Sequence, residues 1–265
     1  MDKKYTKNYS LSKEEMNGMS KRFSYATTTD KGSKIFESST IDDVYTHDDK
    51  ELDDKTNDEQ RKTNDVCQSC NPSIICFSTD EQFKCAFRKC REVFYDKLLD
   101  YGASWRIMRP QSVTDQIYIK ANRIRSIEES NGVTMVNEGV LPEFIGIVNY
   151  GIIGLIQLVR GYSKDGTDMS TKEVLDLYEK YATISFELMQ KKNHDYDEAW
   201  RMMRICSYTD LILMKICRTK SIESNNGKTK VSEGIDANYL DMINYAIFGI
   251  IKLLEEEETV NDEKK

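Results

Sequence analysis

The aspartate Asp241 lies inside a long apolar segment, residues 231–250 (VSEGIDANYLDMINYAIFGI), where a charged side chain needs a reason. The segment 136–155 (VNEGVLPEFIGIVNYGIIGL) has the same pattern, but Gly146 replaces the aspartate. Both segments keep an asparagine three residues further on: Asn149 and Asn244. A buried amide needs hydrogen-bond partners, so a bond to a neighbouring helix accounts for the asparagines. Asp241 occurs in one segment only and is therefore the candidate site carboxylate.

Acidic residues near the end of the predicted first helices are candidates for binding Mg²⁺, an ion that prefers oxygen ligands. Glu92 and Asp100 are eight residues apart, which places both carboxylates on one face of a helix. Surface ion pairs with nearby lysine and arginine residues would explain these acids equally well. The candidate metal ligands are Glu92, Asp100, Glu187, Asp195 and Asp241.

Lysine and arginine residues on the predicted second helices are suited to holding phosphate oxygens. Asp115, Lys120 and Arg123 fall within an arc of about 140° that also holds isoleucines, so they face a partner surface. The alternative is a set of salt bridges between helices. The candidate phosphate-binding residues are Lys120, Arg123, Lys215, Arg218, Arg109 and Arg204. Trp105 and Trp200 are candidates for stacking on a base, although a core position is the commoner outcome for tryptophan.

An internal repeat positions these residues. A shift of 95 residues aligns 100–139 with 195–234 without a gap, so the chain contains a tandem duplication. Both copies keep several charged residues, including the lysine pair Lys97 and Lys192. A unit of this size is marginal alone, and the two copies are therefore expected to pack against each other.

The periodicity within each copy is helical, which predicts an all-α fold. Capping boxes, STDE before residue 82 and STKE before residue 174, begin the first helices. The predicted helices cover 80–99, 112–129 and 140–159, then a helix from 170, 207–224 and 235–256. We predict two three- to four-helix units, 80–160 and 170–257, packed as a pseudo-dimer with a linker at 161–169. Residues 1–79 and 258–265 are polar and charged, and both segments are predicted to be disordered tails.

Composition and charge restrict the class of protein. The net charge of −7 disfavours general nucleic-acid binding, because phosphate neutralisation needs a basic surface. The tail resembles no secretory signal, and the apolar run 144–159 is shorter than the roughly 20 residues that span a bilayer. We therefore expect a soluble, cytoplasmic protein with free thiols. The cluster Cys67, Cys70 and Cys76 contains one CxxC pair, and an incidental cluster is favoured over a metal site.

The segments DYGASWRIMRPQSVTDQIYIKANRIRSIE and TDLILMKICRTKSIE closely resemble the nucleotide-modification-associated domain family. This is a family of tandem bacterial proteins, common in the Bacteroidetes and long catalogued as a domain of unknown function. The resemblance covers residues 80–256. It implies an association with nucleotide or base modification.

A more distant resemblance connects the third helices to the MazG-type all-α nucleoside triphosphate pyrophosphatases, which depend on Mg²⁺. Their signature, Glu-x-x-Asp leading into an apolar stretch, is similar to NYLDMINYA. In this chain each copy keeps one of the two acids. The first copy has Glu143 and Gly146, and the second has Asn238 and Asp241. The resemblance implies that carboxylates activate water and bind metal. The candidate catalytic residues are Glu143, Asp241, Glu233 and Glu138.

Two functional hypotheses follow. The first is a nucleotide-binding protein associated with nucleotide modification, with Mg²⁺-dependent hydrolysis of (deoxy)nucleoside triphosphates as its reaction class if it is an enzyme. The alternative is a non-catalytic helical interaction or assembly protein whose repeat-shared charges are structural salt bridges. The expected partner is a nucleotide or nucleoside triphosphate rather than nucleic acid or a membrane, and homodimer formation stays open.

Overall fold

The computed structural model describes residues 74–130 and 139–262, all of which belong to one compact unit. The described residues form six α-helices and no strand, which confirms the all-α prediction. Repeat 1 contains α1 (Thr79–Tyr101), α2 (Pro110–Glu129) and α3 (Leu141–Arg160). Repeat 2 contains α4 (Thr171–Tyr196), α5 (Ile205–Ser224) and α6 (Ile235–Asp262). Short 3₁₀ turns cover Ile74–Cys76, Ser104–Ile107 and Ala199–Met202.

The helices begin close to the predicted positions. Ser78 and Ser170 cap α1 and α4 through complete capping boxes, as predicted. The second helices begin two residues earlier than predicted, with Arg109 and Arg204 at their N-caps. In α2 the reason is Pro110, whose fixed backbone angle suits the first helical position.

The six helices form three layers of two. The third helices, α3 and α6, pack against each other in the middle layer. The helices α2 and α5 cover one face of this layer, and α1 and α4 contact its other face. A helix covered on both faces must be apolar on most of its circumference, which accounts for the composition of α3 and α6.

Helix α3 is 20 residues long, longer than the apolar run at 144–159. By length and composition alone it passes the test for a membrane-crossing helix. However, 67% of the 18-residue apolar stretch in this helix is buried inside the protein. Its place in the middle layer explains this composition.

Glycine residues allow the two middle helices to approach closely. A Cβ atom at Gly154 would lie 2.5 Å from Cε1 of Tyr239, and one at Gly249 would lie 2.9 Å from Cζ of Phe144. Gly154 and Gly249 are equivalent positions of the two repeats, as are Phe144 and Tyr239. The contact is therefore reciprocal, as expected for a pseudo-dimer with approximate twofold symmetry.

The repeated asparagines join the middle layer to α1 and α4, as predicted. Asn149 donates from Nδ2 to the backbone carbonyl of Cys90 at 3.0 Å and accepts from the Tyr178 hydroxyl at 2.9 Å. Asn244 accepts from the Ser185 hydroxyl at 2.6 Å. Asn149 thus has a partner for both its amide nitrogen and its oxygen, whereas the buried Nδ2 of Asn244 has no hydrogen-bond partner among the described residues.

The predicted tails differ from the structure where the structure describes them. Helix α6 continues to Asp262 instead of ending near residue 257. The reason is that Glu255 accepts from Nε2 of Gln82 at 2.8 Å and Glu258 accepts from the backbone N–H of Ile74 at 3.0 Å. Most of the predicted tail 1–79, Cys67 and Cys70, and the side chain of Cys76 lie outside the described residues.

Candidate functional site

Charged residues shared by the two repeats pair across the layer formed by α2 and α5. Nζ of Lys220 lies 2.7 Å from Oδ1 of Asp115, and Arg125 pairs with Asp210. Because Asp115 and Asp210 are equivalent positions, the two ion pairs are reciprocal. Asp115 therefore faces α5 and does not join Lys120 and Arg123, although the sequence placed all three residues on one arc.

A second reciprocal pair lies beside the first. The Thr209 hydroxyl donates to Oε1 of Glu128 at 3.0 Å, and the equivalent Thr114 hydroxyl donates to Oε1 of Glu223 at 2.7 Å. Burial raises the pKa of both glutamates, and the threonine hydrogen bonds oppose this only in part. These shared acids belong to the interface between the repeats.

The raised pKa values predict a pH-dependent effect of removing the two carboxylates. An acid whose folded pKa is raised stabilises the fold below its unfolded pKa, and this contribution is lost as pH rises through the folded pKa. At pH 7 both carboxylates are therefore unfavourable, and Gln still accepts from the threonine. Glu128→Gln/Glu223→Gln should melt above wild type at neutral pH, by about 2–4 °C for each kcal/mol gained.

The measurement is thermal unfolding of both proteins at pH 7 and at pH 4. The difference in Tm should close at the lower pH, where the wild-type glutamates are protonated. Glu256→Gln is the control, because Glu256 is exposed on α6 and its charge does not contribute to the pKa shift of either glutamate. A double variant that melts below wild type at neutral pH would show that burial of these carboxylates is not unfavourable.

The predicted stacking residues are core residues. Trp105 and Trp200 are 9% and 6% exposed, and Trp200 stacks on Phe248 with ring centroids 4.4 Å apart. Both indoles are therefore part of the hydrophobic core, and neither ring is accessible to a ligand.

In repeat 1, two basic side chains converge on one buried carboxylate. Glu143 is 3% exposed, Nζ of Lys120 lies 3.1 Å from its Oε2, and Arg123 pairs with its Oε1. The aliphatic part of Lys120 crosses Gly146, where an added Cβ would collide with it. Lys120 and Arg123 remain 28% and 31% exposed, so part of each cation faces solvent. We call Lys120, Arg123 and Glu143 the repeat-1 cluster.

In repeat 2, two lysines converge on Asp241, which is 4% exposed. Lys192 of α4 pairs with its Oδ1, and Lys215 of α5 pairs with its Oδ2. Burial alone would lower the pKa of Lys192, but the hydrogen bond and the charge of Asp241 raise it overall. We call Lys192, Lys215 and Asp241 the repeat-2 cluster.

The buried carboxylate occupies different positions in the two clusters. Lys120 and Lys215 are equivalent, but their acids, Glu143 and Asp241, lie one helical turn apart on the third helix. Gly146 makes room for the lysine to reach back to Glu143. Lys120 and Lys215 occupy equivalent positions, and each needs one acidic partner. Each repeat therefore keeps only one acid of the Glu-x-x-Asp pattern.

The predicted metal ligands are not gathered into one site. Glu92, Asp100, Glu187 and Asp195 are all exposed, and Asp241 is paired with lysines. Across 74–130 and 139–262, no three His, Cys, Asp or Glu side chains form a group that fits a metal ion. The magnesium site stays a prediction.

The remaining predicted residues lie apart from the cluster carboxylates. Arg109 and Arg204 are exposed at the N-caps of α2 and α5, more than two turns from Lys120 and Lys215. Arg218 is exposed on α5, and its charge acts on Tyr245, next to Asp241 and Lys192. Glu233 is exposed, and its charge contributes to the raised pKa of Lys192. Glu138 lies outside the described residues.

Sequence reasoning missed Lys192 as a site residue. The signal was its retention in both repeats, together with the presence of Asp241 in repeat 2 alone.

Comparison with protein families gives the same tandem arrangement. Residues 97–158 and 192–253 each match the family described as nucleotide modification associated domain 1. The chain carries two tandem copies of this domain. Each match begins at the lysine of the first helix, Lys97 or Lys192, and ends within the third helix, so each match includes the cluster of its own repeat. Comparison with curated proteins and with solved structures found no match.

Proposed function

We propose that this protein binds a nucleotide through its phosphate groups, using the lysine and arginine residues of the two clusters. The observation that carries this proposal is the convergence of two cations on one buried carboxylate in each repeat. The carboxylate fixes the positions of the cations. The exposed parts of Lys120, Arg123 and Lys192 remain available to phosphate oxygens, whereas Lys215 is 8% exposed and would reach a phosphate only by leaving Asp241. The proposed phosphate-binding residues are Lys120 and Arg123 in repeat 1, and Lys192 and Lys215 in repeat 2 together with Arg218, which is exposed beside that cluster.

The tandem nucleotide-modification-associated domains support a nucleotide as the source of the phosphate. Hydrolysis of the bound nucleotide is a second, more specific part of the proposal. Mg²⁺-dependent cleavage of a (deoxy)nucleoside triphosphate would require Glu143 or Asp241 to exchange its lysine partner for a metal. Binding is therefore the first step to test, and turnover is a separate question.

The test of binding is a thermal-shift screen with ribo- and deoxyribonucleoside triphosphates, with and without Mg²⁺. At least one nucleotide should raise Tm, because a ligand that binds only the folded state stabilises it. At a hundredfold excess over Kd the gain is about 2.7 kcal/mol, which is readily detected. A flat response to every nucleotide would contradict the proposal.

Two arginines on α2 provide a matched comparison. Arg123→Ala should reduce the shift, since it removes a cation of the repeat-1 cluster. Arg125→Ala should leave the shift unchanged, because Arg125 pairs with Asp210 on the surface between α2 and α5. Equal effects of both variants would indicate nonspecific attraction of the anion.

Pyrophosphate release separates hydrolysis from binding. If the wild-type protein releases pyrophosphate, Asp241→Asn tests the role of that carboxylate with little change of shape. Release that Asp241→Asn leaves unchanged would remove the catalytic role proposed for Asp241.

A non-catalytic assembly role is the second candidate. The reciprocal pairs Asp115–Lys220 and Asp210–Arg125 support it, because these repeat-shared charges form ion pairs between the two copies. Under this alternative the nucleotide screen is flat, and charge substitutions change only stability.

A further inference from the structure

The two repeats differ at the lysine near the end of their first helix. In repeat 2, Lys192 is held by Asp241. In repeat 1 the equivalent lysine is Lys97, and Gly146 stands at the position equivalent to Asp241. Lys97 is exposed, and within the described part of the chain its ammonium has no ion pair or hydrogen bond. Lys97 is therefore free to bind a ligand, whereas the equivalent Lys192 is already paired with Asp241.

Each repeat has three basic residues and one buried acid at these positions, but the acid binds different cations in the two repeats. In repeat 1 the lysine and arginine positions are Lys97, Lys120 and Arg123, and Glu143 is the buried acid between α2 and α3. In repeat 2 the aspartate occupies the space between the two lysines and bonds to both. An incoming phosphate would have to compete with Asp241 for both lysines of repeat 2, whereas in repeat 1 it competes with Glu143 for Lys120 and Arg123 but not for Lys97.

A cavity of about 390 Å³ lies one turn further along α1. Its walls are the end of α1, with Leu98 and Tyr101, and the segment between the repeats, with Asp165, Gly166 and Met169. Tyr101 is 56% exposed and follows Lys97 by four residues, so both side chains leave α1 on the same face. An open cavity of this size with an aromatic wall suits a nucleoside.

Repeat 2 cannot build the same cavity. In repeat 1 the wall is formed by the segment that follows α3, which ends at Arg160. At the equivalent point of repeat 2, helix α6 continues to Asp262. The cavity and the unpaired lysine therefore occur in the same repeat, although they arise from independent differences between the copies.

We infer that repeat 1 alone carries the nucleotide site, with Lys97, Lys120 and Arg123 on the phosphates and the nucleoside in the cavity beside Tyr101. This inference rests on the proposed function and narrows it to one half of the chain. In repeat 2 the contacts of Lys192 and Lys215 with Asp241 stabilise the fold and leave no site for a nucleotide.

The test is isothermal titration of the full chain with each common ribo- and deoxyribonucleoside triphosphate and with inorganic triphosphate. Wild type should bind one nucleotide per chain. Lys97→Gln should weaken binding about tenfold or more, because one charge-assisted contact is lost. Lys192→Gln, which keeps a donor for Asp241, should stay within about twofold of wild type. Tyr101→Ala should weaken nucleotide binding but leave inorganic triphosphate binding unchanged.

The outcomes separate the inference from the proposed function. Two nucleotides per chain, or an equal loss with Lys192→Gln and Lys97→Gln, would overturn the assignment to repeat 1 and leave nucleotide binding standing. An unchanged affinity of Lys97→Gln would overturn it as well. Wild type that binds neither any nucleotide nor inorganic triphosphate would overturn both.

Discussion

Asp241→Gly should lower the free energy of unfolding by about 3–5 kcal/mol, because it removes the buried carboxylate that two lysines share. The side chain of Lys215 is 8% exposed, so its ammonium would remain buried without a counter-charge. The measurement is urea-induced unfolding followed by circular dichroism, with the slope of the transition compared between variants.

A second substitution should reverse most of this loss. Asn238→Glu/Asp241→Gly reproduces in repeat 2 the arrangement of repeat 1, where Glu143 and Gly146 accommodate Lys120. Both variants carry the same glycine, so its cost of about 1 kcal/mol in a helix cancels between them. The remaining difference in the free energy of unfolding measures the contribution of the carboxylate at its new position.

The double variant should regain more than about 2 kcal/mol of the loss, since the lysine has a partner again. A double variant as unstable as Asp241→Gly would show that pairing with lysine is not the contribution of Asp241 to stability. This comparison also bears on function, because it separates a structural aspartate from one reserved for a ligand.

The helices were predictable because their signals are local. The capping boxes at Ser78 and Ser170 need only four consecutive residues, and the structure contains both. The 95-residue repeat predicted the pseudo-dimer, since two equal units with apolar third helices can bury them against each other. The extension of α6 to Asp262 was not predictable, because it depends on contacts with Ile74 and Gln82, far away in sequence.

The partners of the shared charges were not predictable from one helix. An arc of about 140° on a packed helix is wide enough to face two neighbours at once. Helix α2 directs Asp115 toward α5 but Lys120 and Arg123 toward α3. Asp115 and Asp210 make reciprocal contacts between the repeats, whereas Lys120 and Lys215 each pair with an acid of their own repeat, yet all four residues are retained in the same way. Retention alone therefore could not separate site residues from interface residues.

Arg106→Met should cause a loss of similar size, about 3–5 kcal/mol, because it leaves the buried Gln157 and the part-buried Gly161 carbonyl without their donor and also removes the ion pair to the half-exposed Asp168. Arg106 is 1% exposed in the turn after α1. Its guanidinium donates to Oδ1 and Oδ2 of Asp168 at 3.2 and 2.8 Å, to the Gly161 carbonyl at 2.6 Å and to Oε1 of Gln157. Removal of this one side chain leaves all these acceptors without their donor.

The planar guanidinium is essential to this contact, because Lys cannot make a bidentate bond to Asp168 while reaching the other two acceptors. Arg106→Lys should therefore recover only part of the loss. Arg160→Met is the control, since Arg160 and Glu173 are half exposed and 4.0 Å apart, and its effect should stay within about 0.5 kcal/mol.

Urea-induced unfolding measures all three variants. Gly161 and Asp168 belong to the segment that walls the cavity beside Tyr101, so Arg106→Met should also weaken nucleotide binding by the folded protein. Equal stability of Arg106→Met and Arg160→Met would show that the buried guanidinium does not hold this segment in place.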